Sequence, residues 1–134
     1  MGDVENGVVY TFKALDAVTS LSNEIDNQLV LNSGNLSDAE KYELEGQIKT
    51  YQKAKVDALF SIHNFLKIQK AYTKALGYAQ EHTRVNEEIY KKESRNYAYA
   101  LMLEAQCMTY LPNLDQNDSL KIINSALKIM LQLY

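Results

Sequence analysis

From Ser37 to Leu111 the chain holds no proline and only two glycines, Gly46 and Gly77. Proline and glycine are the residues that most readily end a helix. Across the same stretch apolar residues recur every three or four positions. The pattern predicts an all-α protein: an antiparallel helical bundle of four or five helices, one of them unusually long. At 134 residues and 46% apolar content, the chain is expected to form a single helical domain over residues 1–134. Residues 1–7, with two glycines and two acids, are expected to be frayed or disordered.

The first helix is expected from about Val8 to Leu31, where Val8, Phe12, Leu15, Val18, Leu21, Ile25 and Leu29 step along one face. Asn32-Ser33-Gly34-Asn35 ends it. Ser37 stands three residues ahead of Glu40, the capping-box spacing, and opens the second helix. The second stripe runs through Leu44, Ile48, Tyr51, Ala58, Ile62, Phe65, Tyr72 and Leu76. Asp38 to Ala79 would span roughly 63 Å, against about 36 Å for the first helix. The second helix must therefore kink, or its overhang must pack on something else. Gln80 to Glu88 is polar except for Val85, and reads as a turn after Gly77 or as a wet stretch of helix. A third helix is expected from about Arg84 to Tyr110, and a loop over residues 111–117 contains Pro112, the sole proline.

The last helix, from about Ser119 to Tyr134, carries two apolar stripes. Leu120, Ile123, Leu127, Met130 and Tyr134 repeat at 3-4-3-4, a coiled-coil spacing. Ile122, Ala126, Ile129 and Leu133 form the second stripe. A helix apolar on two sides needs two neighbours, so a homodimer through Leu120–Tyr134 is one expectation.

The motifs of common catalytic and metal chemistry are missing. His63 and His82 lack the Glu-x-x-His and His-Glu-x-x-His spacings of metal sites. Phosphate-loop and nucleophile-elbow patterns do not occur. Cys107, the lone cysteine, sits in an apolar helical setting that disfavours a thiolate. The reading is of a protein that is not an enzyme, with no cofactor and no metal. No stretch is apolar enough to span a membrane, and the first residues lack the order of a signal peptide. With one unpaired cysteine, a reducing, cytoplasmic location is expected.

Net charge is −3, against broad nucleic-acid binding. It is unevenly spread: −6 over residues 1–40, +4 over 41–95 and −1 over 96–134. On a helical projection of the second helix, Lys49, Lys53, Lys67, Lys70 and Lys74 gather opposite the apolar stripe. Val56, Phe60 and His63 fall among these lysines, on the side expected to face water. A basic surface with an apolar centre suits an acidic amphipathic helix of a partner protein. The alternative is that another helix of the same chain covers Val56 and Phe60.

Asp118 to Ile129 (DSLKIINSALKI) resembles the second helix of a tetratricopeptide hairpin. The resemblance implies that Cys107 and Ser119 are the small residues where two helices touch. It also implies a 34-residue repeat, yet the residue 34 before Ala126 is Lys92. Together these readings describe a helical protein-binding module: an adaptor, an inhibitor or immunity-type protein, or an assembly subunit. A homo-oligomeric bundle is the second expectation. A ligand-binding bundle with a cavity lined by Tyr51, Tyr72 and Tyr99 is the third.

Overall fold

The computed structural model describes the backbone of residues 2–133 and the side chains of residues 9–133, so the Val8 and Tyr134 ends of the expected apolar stripes lie outside the described residues. The architecture is all-α, as the proline-free periodic sequence predicts. Among the described residues five helices follow in order: α1 (Gly2–Asn32), α2 (Asp38–Ile68), α3 (Tyr72–Tyr90), α4 (Arg95–Thr109) and α5 (Gln116–Leu133). The backbone is helical from Gly2, and most side chains of the 1–7 segment expected to be frayed lie outside the described residues. The Ser37 capping box forms as read: the Glu40 amide donates to Ser37 Oγ at 3.1 Å, and the Ser37 amide to Glu40 Oε1 at 3.3 Å.

Two helix boundaries fall elsewhere than the sequence suggests. The long second helix does not run to Ala79. It stops at Ile68, and residues 80–88 lie inside α3. The third helix does not run unbroken from Arg84 to Tyr110; it is divided at residues 91–94. Both breaks are made by lysines with left-handed backbone, Lys70 (φ 60°) and Lys91 (φ 70°). At the first, the Ala71 amide donates to Leu66 O at 2.8 Å and the Lys70 amide to Lys67 O at 3.0 Å. These are the two bonds of a Schellman closure, with Lys70 where glycine is usual. Residues 80–88 are therefore a stretch of helix rather than a turn after Gly77, which is an exposed position within α3. At the second break, Ser94 caps α4 by accepting from the Tyr97 amide at 3.1 Å.

The contacts divide the chain into two compact units, Met1–Ala58 and Leu59–Tyr134, and the division falls inside α2. In the first unit, Ile25 and Ala58 are the described residues with less than a tenth of their surface exposed. The second unit holds the end of α2 with α3, α4 and α5. Its interior is built largely from small residues. Ala75 and Ala79 of α3 pack with Cys107 of α4, and Leu66 and Leu76 close around them. On the other side of α4, Ala98 and Leu101 pack against Ala126 of α5, flanked by Tyr97, Ile122, Ile129 and Met130. Side chains this small let helix backbones approach closely, and two hydroxyls exploit it. Thr83 Oγ1 reaches Ala100 O across α3 and α4 at 3.3 Å, and Ser119 Oγ reaches Ala105 O across α4 and α5 at 3.2 Å. Ser119 meets Ala105 at one end of the pair and Ala126 meets Ala98 at the other, so α4 and α5 run antiparallel.

Candidate functional site

Of the eight residues read as a basic partner surface, Lys49, Lys53, Val56, Phe60, His63 and Lys67 share one side of α2 by their 4-3-4-3-4 spacing, and Lys70 and Lys74 lie past its end. Lys49 and Lys53 are exposed and Val56 half-buried, all three in the first unit. Phe60 is half-buried, and its ring lies 6.0 Å from that of His82. His63, expected to face water, is only 1% exposed. Lys67 is half-buried and donates from Nζ to Gln106 Oε1 at 2.9 Å. Lys70 is exposed in the turn that ends α2, and Lys74 is exposed beyond the break, on α3. For Lys70 and Lys74 the physical reason is that break, since a helical projection holds only while the helix is continuous. For Phe60 and His63 the alternative reading applies, in that α3 and α4 of the same chain lie against them.

His63 instead enters a buried polar group. Its Nε2 lies 3.1 Å from Cys107 Sγ, while its buried Nδ1 has no hydrogen-bond partner. Burial holds the imidazole well below its ordinary value, at about 4, aided by the nearby Lys67 charge and His82 and opposed by Asn64. Burial likewise pushes the Cys107 thiol up, with Lys67 pulling the other way. Both members are therefore neutral near pH 7. A neutral thiol hydrogen-bonded to a neutral imidazole is a packing contact, not an ion pair activated for attack. Behind it, Asn86 Nδ2 donates to His82 O at 2.8 Å and Thr83 Oγ1 to Ala79 O at 2.9 Å. Glu104, half-buried on α4, has its carboxyl raised by burial and lowered by Thr83. No group of three or more metal-ligating side chains is found among the described residues.

The site that the structure does assemble lies between α4 and α5. A cleft of about 450 Å³ is lined by Lys92, Glu93, Tyr97 and Leu101 on one bank. Lys121, Ile122, Ser125, Lys128, Ile129 and Gln132 line the other. Tyr97, Leu101, Ile122 and Ile129 belong to the apolar packing between the two helices and supply the floor. Burial raises the Tyr97 hydroxyl, with the Glu87 charge adding to it and Lys92 opposing. Lys92 stands 3.6 Å from Glu87 Oε1, and Lys121 and Lys128 are exposed. Sequence reading missed this site because its banks come from segments thirty residues apart. The available signal was the 4-3-4 spacing of Lys121, Ser125, Lys128 and Gln132, which puts all four on one side of α5.

The outer face of α5 is also open. Leu120 is 54%, Leu127 48% and Leu131 78% exposed, while Ala126 is sealed against α4. The antiparallel pair implied by the tetratricopeptide resemblance is present, but it closes on Ser119 and Ala105. Cys107 is turned to α3 instead. Of the expected tyrosine cavity, Tyr72 is stacked on Tyr110 at 4.7 Å and Tyr99 is 52% exposed. No helix among the described residues is long and apolar enough to cross a membrane. Comparison with known proteins finds no matching family, no matching relative and no matching solved structure.

Proposed function

We propose that the chain is a non-enzymatic helical protein-binding module, of adaptor, inhibitor or assembly type. One observation carries this reading: the α4–α5 cleft, which joins an apolar floor to a rim holding three lysines and one glutamate. Grooves between helices with apolar walls and a few placed polar groups are common recognition sites. The neutral, buried state of the one thiol–imidazole pair supports a non-catalytic role. The test is affinity capture from the native host with in-cell cross-linking, comparing the wild type with K121E/K128E and K49E/K53E variants. The reading expects a protein cross-linked by wild type and lost in one of the two variants. Capture that neither variant alters, or no capture, overturns it.

A second reading, self-association through α5, has its own support in the exposed row of Leu120, Leu127 and Leu131. Sedimentation equilibrium distinguishes it. A dimer that Leu127→Glu returns to monomer favours this reading, and a monomer at the highest soluble concentration removes it.

A further inference from the structure

We infer that the α4–α5 cleft receives an acidic amphipathic helix of a partner protein, with its acids two turns apart. The inference rests on the protein-binding reading and adds the occupant. Lys121, Ser125, Lys128 and Gln132 form a single row along α5, its ends eleven residues apart. At the helical rise the row is about 16 Å long, three turns of helix. The charged members, Lys121 and Lys128, are seven residues apart, or about 10.5 Å along the axis. A second helix laid along the row repeats its side chains at the same pitch. Two carboxylates at i and i+7 then face both lysines, while apolar side chains at i+3 and i+10, on one flank of that row and also seven residues apart, turn down onto Ile122 and Ile129.

The other chemistries that suit lysines fit this arrangement less well. A single-headed amphiphile brings one charge and leaves the second lysine, two turns away, unanswered. A nucleic-acid strand brings phosphates but has little use for an apolar floor, and Glu93 on the rim repels it. Charge complementarity here mainly sets orientation and association rate, and the apolar floor supplies the affinity.

The experiment uses the full chain and a fluorescein-labelled helical peptide of about 18 residues, roughly 27 Å long. The peptide carries leucines on one face and glutamates at i and i+7, and a second version replaces those glutamates with glutamine. Fluorescence anisotropy at low and high salt is expected to show saturable, salt-sensitive binding of the glutamate peptide. K121E/K128E is expected to weaken it at least about tenfold while leaving the melting temperature in place, since both lysines are on the surface. The glutamine peptide should lose a similar factor, and a lysine-for-glutamate peptide should recover binding to K121E/K128E. Equal binding by wild type and K121E/K128E overturns the proposal. So does binding of myristate or a thymidine oligonucleotide that the peptide cannot displace. If K49E/K53E abolishes peptide binding and K121E/K128E does not, the cleft assignment fails while the protein-binding reading stands. If the peptide does not bind and cross-linking captures no protein, both fail.

Discussion

The two units of this chain are helical for the same reason and held together differently. In the first, α1 is 31 residues long and Ile25 is its only described side chain below a tenth exposed. In the second, α4 is 15 residues long and buries Ala98, Ala100, Leu101, Ala105, Cys107 and Met108. Length gives a helix hydrogen bonds but little tertiary stability, which comes from packing an apolar face. The second unit is therefore expected to be the stable one. Hydrogen exchange checks this directly: amides of α1 should exchange well before those of α4. Equal protection in the two helices would dissolve the contrast.

The largest expected effect is acid loss of the second unit through His63. Its folded value is about 4 and its ordinary value 6.5, so the unfolded chain takes up a proton first. The contribution is complete above 6.5 and is lost as pH falls towards 4. The loss is about 2 kcal/mol by about pH 5 and about 3 kcal/mol at the lower end. Urea unfolding monitored at α3 and α4 should show that slope, and His63→Gln should flatten it. A slope unchanged in His63→Gln would mean that another group titrates there. The first unit has no histidine, so its stability should stay nearly level between pH 6.5 and pH 5.

Next in size is the tolerance of each interior to added volume. Ala126 is fully buried against Ala98 and Leu101. Leucine there has no room, and Ala126→Leu is expected to cost about 2 kcal/mol by forcing α4 and α5 apart. Val18 of α1 is half-buried, and Val18→Leu should stay within about 0.5 kcal/mol. Chemical denaturation of the two variants side by side reads the difference. Similar losses would show that the first unit is as tightly packed as the second.

Helix existence was legible in this sequence and helix breaks were not. The 3.6-residue pattern and the Ser37–Glu40 pair announce themselves in local chemistry, and both are found in the structure. The breaks at Lys70 and Lys91 use residues with no turn preference, held in left-handed backbone by the closing hydrogen bonds and the packing on either side. Local propensity cannot announce a conformation that tertiary contacts impose. The break moves Lys74 from α2 to α3, and a projection of one helix cannot show that α4 brings Cys107 against His63. The α4–α5 cleft was hidden for a related reason. Lys121 and Lys128 are ordinary surface lysines until Lys92 and Tyr97 arrive from the other bank.

Two glycines test whether the units melt together. Gly77 in α3 and Gly46 in α2 are both exposed, and a Cβ at either meets nothing within 4 Å. Each alanine substitution is expected to add about 1 kcal/mol by restricting the unfolded chain. Calorimetry separates the cases. If the units unfold independently, Gly77→Ala raises only the transition reported by α3–α5, and Gly46→Ala raises only the other. One shared transition, shifted equally by both, would show a single cooperative fold.

The smallest expected effect bears on the misread break itself. A non-glycine residue in the left-handed region costs about 1–2 kcal/mol. Glycine at Lys70 removes that cost and gives back about 0.4–1 kcal/mol through the greater freedom of the unfolded chain. Lys70→Gly should therefore stabilise the second unit by about 0.5 kcal/mol net. Lys70→Ala removes the same charge and keeps the strained backbone, so it should give no gain. If alanine stabilises as much as glycine, the lysine charge rather than its φ of 60° is what the turn tolerates at a cost. If neither does, the Ala71-to-Leu66 and Lys70-to-Lys67 hydrogen bonds already offset the strain, and the break is fixed by the packing of Leu66 and Leu76 around Ala75.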